Sequence, residues 1–176
     1  AEGRRAIGGY AAAMAAQTEG VELYRAHGVP AQVAAALLTL GSIETIAGHR
    51  QAARHLLEEA RTLNPRNGSI ATNLAELEFA DGNFESAVDY GREAFEYFRV
   101  RHQSNACIAL CNLAAYSLAL GHFADARTAA REGLEMARGL HASDLVALAI
   151  QHLASVAAAS AKPELAVRLL GFVDAQ

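Results

Sequence analysis

The chain is expected to be all-α, built from antiparallel helix hairpins stacked into an α-α solenoid. Three observations in its 176 residues predict this. A short phrase recurs at Glu19-Gly20-Val21-Glu22, Glu59-Ala60-Arg61-Thr62, Glu93-Ala94-Phe95-Glu96 and Glu132-Gly133-Leu134-Glu135, and in worn form at Gly171-Phe172-Val173-Asp174. The residues in register, Gly20, Ala60, Ala94, Gly133 and Val173, are spaced by 40, 34, 39 and 40. Periods of that size mark stacked helical repeats rather than a closed globule. Hydrophobic residues make up 52% of the chain but aromatics only 6%, with no tryptophan. Alanine carries much of the apolar content, which suits closely packed helices better than a sheet sandwich. Finally, a glycine-led turn recurs in phase with the phrase, where a left-handed residue would close each helix.

Each unit reads as helix A, tight turn, helix B. Residues 1–7 read as the tail of a helix A, turning at Gly8-Gly9-Tyr10. Pro30 suits the first turn of the next helix A, where its missing N–H is harmless. That helix ends at Gly48-His49-Arg50, and Pro65 stops the helix B that follows. Ser69 is expected to cap the third unit, which turns at Gly82-Asn83-Phe84. The fourth turns at Gly121-His122-Phe123. The fifth is capped by Ser143 and turns at Ala161-Lys162-Pro163. A regular pair flanks each turn. An alanine follows it (Ala13, Ala53, Ala87, Ala126, Ala166), and a small residue after leucine precedes it (Gly41, Ala75, Ala114, Ala154). Facing each other, these let the two helices approach closely. The expected units are 1–29 (partial), 30–67, 68–103, 104–141 and 142–176, read as a piece of a longer protein because both ends cut a repeat.

Net charge is −4, which gives no basic footprint for nucleic acid. The positive charges are fourteen arginines and a single lysine, Lys162. Cys107 and Cys111 lie one helical turn apart, a poor geometry for a disulfide, so a reducing cytoplasm is expected. The stretch 103–124 carries no formal charge, yet its Ser104, Asn105, Asn112 and Ser117 and its helical stripe favour a buried repeat helix over a membrane span.

The unit Leu37, Leu40-Gly41, Gly48, Ala53, Leu57, Ala60 and Pro65 resembles the tetratricopeptide repeat at nearly every key position. The next unit repeats it with Leu74-Ala75, Gly82, Phe84, Ala87 and Ala94. The resemblance implies a right-handed superhelix whose A helices line a concave face and whose charged B helices face solvent. The family's usual aromatic on helix A is replaced here by Glu44, Glu78 and Ser117. The segments Glu22-Leu23-Tyr24-Arg25-Ala26-His27-Gly28 and Ala166-Val167-Arg168-Leu169-Leu170-Gly171 are similar to the helical-repeat region of bacterial LuxR-type and STAND signalling ATPase regulators. That similarity implies a protein-interaction or ligand-sensing scaffold within a regulator. A free-standing adaptor for an extended peptide and a small-molecule sensor domain remain alternative readings.

The repeat register puts Thr39, Asn73, Asn112 and His152 in one polar row of the concave face, with Glu76 and Ser155 beside it. Asn73 and Asn112 can each donate to and accept from a peptide backbone, or equally bond a neighbouring helix. The Lys/Arg-rich carboxylate clamp of chaperone-binding relatives is missing. No catalytic, cofactor or metal site is expected. A Gly-x-Ser-x-Gly elbow and a His-Glu-x-x-His helix are absent, and Gly3 to Gly9 lacks the lysine a phosphate loop needs. The seven histidines fall mostly at repeat turns, so repeat drift accounts for them. The expected partner is a protein or peptide, or a small-molecule effector, with no membrane or nucleic acid. Bare end repeats also predict an end-to-end homodimer.

Overall fold

The computed structural model describes the backbone of residues 2–26 and 29–174 and the side chains of residues 14–26 and 29–171. Nine α-helices are described: α1 (Glu2–Ala26), α2 (Pro30–Ile46), α3 (Arg50–Leu63), α4 (Gly68–Ala80), α5 (Phe84–Phe98), α6 (Gln103–Ala119), α7 (Phe123–Gly139), α8 (Ser143–Ala159) and α9 (Pro163–Asp174). They pack as sequential antiparallel hairpins in the all-α, repeat-type fold that the period predicts.

The turns between paired helices share one hydrogen-bond pattern. After α2, the Gly48 N–H donates to the Thr45 carbonyl at 3.0 Å and the His49 N–H to the Glu44 carbonyl at 2.9 Å. Gly82 and Asn83 bond Phe79 and Glu78 in the same way, and Gly121 and His122 bond Leu118 and Ser117. This two-bond closure needs a left-handed residue at its centre, and φ is +83° at Gly48, +83° at Gly82 and +75° at Gly121. Ala161 (φ 57°) closes α8 and His141 (φ 53°) closes α7 by the same bonds, without glycine.

Two buried carboxylates reinforce these closures. Glu44 and Glu78 are 8% and 7% exposed. The Glu44 Oε2 lies 2.7 Å from His49 Nδ1, and Asn83 Nδ2 donates to Glu78 Oε2 at 2.7 Å. Each is a polar clamp from the last turn of one helix to the first residue after the bend.

The chain divides into two compact units, residues 1–77 and 78–176. In the first, α1 packs on α2 and α2 on α3. Its core holds Leu37, Leu57, Ile70 and Leu74, all 1% exposed or less. A Cβ at Gly41 would stand 2.8 Å from Leu57 Cγ, so any side chain there would force Leu57 to shift. An ion pair joins Arg25 of α1 to Glu59 of α3.

In the second unit α5, α6, α7, α8 and α9 pack in succession, and α6 also meets α8. Ala87, Ala126 and Ala130 are fully buried, as close helix approach requires. Gly91 faces Leu113, with 2.9 Å between a built Cβ and Leu113 Cδ2. Cys107 Sγ donates to the Gly133 carbonyl at 3.2 Å, tying α6 to α7.

The structure departs from the sequence expectation at four places. No turn forms at Gly8-Gly9-Tyr10, because α1 runs unbroken through it. Paired glycines cost a helix about 1 kcal/mol each, and the alanine-rich stretch that follows favours continuation; the side chain of Ala13 lies outside the described residues. Ser69 does not cap α4. Asn67 does, its Oδ1 accepting from the N–H groups of Ser69 at 2.9 Å and Ile70 at 3.4 Å. Ser143 is the first residue of α8, whose N-cap is Ala142 with no side-chain bond. Gly20, counted with the recurring phrase, has nothing within 4 Å of a built Cβ, whereas Ala60 and Ala94 are buried. Val173, its counterpart at the other end, lies outside the described side chains, as does His27.

Candidate functional site

The six expected groove residues sit on A-type helices, with Asn73, Asn112 and His152 half-buried and Thr39, Glu76 and Ser155 exposed. In the first unit, Thr39 lies on α2, and Asn73 and Glu76 lie on α4. Thr39 is exposed and turns its hydroxyl back to the Ala35 carbonyl at 3.1 Å. Asn73 is half-buried, and both ends of its amide are used. Ser42 Oγ donates to Asn73 Oδ1 at 2.8 Å, and Asn73 Nδ2 donates to the Ser69 carbonyl at 2.9 Å. Asn73 therefore ties α4 to α2, the structural role that its side chain equally allows. Glu76 stays accessible, but loss of water around its carboxyl raises its pKa above the usual carboxylate value.

In the second unit, Asn112 lies on α6, and His152 and Ser155 on α8, two helices in direct contact. Asn112 is half-buried and makes no hydrogen bond to another described residue. Its amide is thus available where that of Asn73 is committed. Burial lowers the pKa of half-buried His152, so its imidazole is neutral at physiological pH and presents one donor and one acceptor. Ser155 is exposed and returns its hydroxyl to the Gln151 carbonyl at 3.0 Å.

An aromatic feature outside the polar row comes into view here. Phe79, 37% exposed, stacks at 5.5 Å on Phe84 and at 5.1 Å on Tyr116, which is itself buried. Phe79 and Phe84 flank one turn and Tyr116 belongs to the following helix A, so sequence spacing alone does not join them. The cluster packs one side of the Phe79 ring and leaves the rest at the surface as an apolar contact.

Among the described residues no three His, Cys, Asp or Glu side chains gather as a metal site would need. Burial pushes the Cys111 thiol up to about 12, with Cys107 beside it adding to the effect, and raises Cys107 as well. Burial thus disfavours the thiolate form of both sulfurs.

The helices define a protein of the sequential-hairpin repeat class. More narrowly, residues 67–139 match the tetratricopeptide repeat family. Residues 16–75 match the family described as anaphase-promoting complex subunit 5. No curated protein matches the chain in sequence. Among solved structures, BtubC from P. vanneervenii is similar at 19% identity and a TM-score of 0.84, covering 97% of this chain and 74% of that one. TPR-like repeats of a Podosopora anserina kinesin light chain give 19% identity and a TM-score of 0.78, over 98% and 90% of the two chains. MamA gives 18% and 0.72, over 97% and 90%. At these identities the likeness establishes the tetratricopeptide-like fold.

Proposed function

We propose that this chain is a protein-interaction scaffold whose second unit holds a segment of a partner protein against α6 and α8. The observation that carries this reading is the contrast between the two asparagines. Asn73 bonds within its own fold, while the Asn112 amide, on a half-buried helix face, bonds no other described residue. An extended peptide offers an N–H and a carbonyl in the pattern that amide complements. Exposed Phe79, fixed by Phe84 and Tyr116, supplies an apolar contact within the same unit. The reading is non-catalytic and fits a cytoplasmic protein with two reduced, protonated thiols. No described helix is long and apolar enough to cross a membrane.

Within that reading, the similarity of Arg168-Leu169-Leu170-Gly171 to bacterial signalling regulators favours a scaffold that serves such a regulator. A phosphate-loop ATPase domain encoded in the same gene would support it. The peptide-binding reading is tested by selecting peptides from a displayed library on the intact chain, then measuring them on Asn112→Ala and Phe79→Ala. Loss of binding is expected in both, with an unchanged melting temperature for Asn112→Ala. Selected peptides that bind both variants as tightly as the parent would refute it.

A further inference from the structure

A cleft of about 370 Å3 opens between α7, α8 and α9, and none of the six expected site residues lines it. Its floor is apolar. Leu134 of α7, Leu153 and Val156 of α8, and Leu169 of α9 meet there, with Val156 only 3% exposed. Its rim is cationic: Arg127, Arg131 and Arg138 from α7, and Lys162 from the turn before α9. All four are exposed, and none makes an ion pair with another described residue. Glu135 is the one carboxylate among the lining residues. On a chain of net charge −4, this is a local concentration of unpaired positive charge around a hydrophobic slot.

The spacing on α7 is regular. Arg127, Arg131, Leu134 and Arg138 follow i, i+4, i+7, i+11, so they form one stripe along the helix. The three arginines span about 16 Å at 1.5 Å per residue. A volume at the small end of ligand pockets takes a few side chains rather than a large cofactor. Val156 is buried at the base while Leu134, Leu153 and Leu169 are half-buried around it, a contour that suits side chains projecting from a helix.

We infer that this cleft is a second docking site, which takes an acidic amphipathic helix of a partner protein: leucine-like residues on the floor, flanking Asp or Glu on the arginine rim. This is the helix-in-groove mode with charge complementarity setting the approach. It is independent of the proposed α6–α8 face, because it uses other residues and another peptide conformation.

The test uses a fluorescein-labelled helical peptide of about four turns, with leucines at i, i+3, i+4 and i+7 and glutamates beside them. A twin carries lysine for each glutamate. The acidic peptide is expected to bind the intact chain, and to weaken about tenfold or more on moving from low to high salt or in the Arg131→Glu/Arg138→Glu variant. The lysine twin should not bind. Lys162 is the only lysine in the chain, so carbodiimide coupling of the bound peptide should place a cross-link at Lys162 that Lys162→Arg removes. Circular dichroism melts establish that the variants remain folded. Equal binding of both peptides, unchanged affinity in the double variant, or coupling elsewhere on the chain would overturn the proposal. So would anionic vesicles binding the chain while the peptide does not, or a chain dimer that occupies the cleft and excludes the peptide. Asn112→Ala should leave this binding intact, so failure here and failure at the α6–α8 face are told apart.

Discussion

Gly41 and Gly133 are both buried in helices, but they hold different amounts of space. A methyl group at Gly41 would collide with Leu57 Cγ at 2.8 Å, a branch point that cannot swing away without shifting the core. At Gly133 the nearest atoms, Cys111 Sγ and Leu110 Cβ, lie at 3.5 Å, an ordinary contact. Gly41→Ala should therefore cost about 1–3 kcal/mol through overpacking. Gly133→Ala should be neutral or gain up to about 1 kcal/mol from helix propensity. Urea midpoints of the two variants check the opposite signs. Titration gives a further residue-scale test. Burial holds the His152 pKa below its ordinary 6.5, so on acidification the unfolded chain takes up this proton first. The contribution of His152 is complete above the unfolded value and is lost as pH falls through it toward the folded value. His152→Gln should flatten the fall in stability that sets in as pH drops through 6.5. Cys111 behaves oppositely. Raised to about 12 from 9.0, it keeps its proton in the folded state, and stability should decline as pH rises through that window.

The helix closures carry the repeat at the scale of elements. Gly48, Gly82 and Gly121 were legible because left-handed closure and glycine go together. His141 was not, since nothing about a histidine announces φ of 53°. Ala161 was placed at its turn by period alone, and it too pays for the left-handed conformation. Ala161→Gly and His141→Gly should each stabilise the chain by about 1 kcal/mol, while Gly121→Ala should cost a similar amount. Thermal melts of the three variants decide this. The clamps at Glu44 and Glu78 were visible only as a missing aromatic. Their meaning needed coordinates, because a carboxylate reaching the residue five places on depends on the bend between them. Helix starts were the least legible feature. Asn67 caps α4 although Ser69 stood nearer the expected start, because the cap oxygen must reach back from outside the first turn.

For the whole molecule, repeat arithmetic and site chemistry separate cleanly. Period, alanine content and turn glycines determined an all-α array of hairpins, since each unit must bury its apolar face on a neighbour and few residue types permit that approach. A scaffold follows from such an array, and the two docking predictions belong to this scale. A chain carrying both Asn112→Ala and Arg131→Glu/Arg138→Glu should lose the selected extended peptides and the acidic helix separately, with additive effects in paired binding assays. Additivity is expected because the two sites share no residue. Sequence register also put Asn73 and Asn112 in equivalent places. Tertiary structure alone decided that the first bonds Ser42 of α2 while the second bonds no other described residue, because that Ser42 partner comes from a helix distant in sequence, the Ser69 carbonyl lying one turn back on α4 itself. It likewise decided that Phe79 is an anchored surface aromatic and that four separate cations ring one apolar cleft. Periodicity specifies which face of a helix a residue occupies; what lies opposite that face depends on how the helices pack.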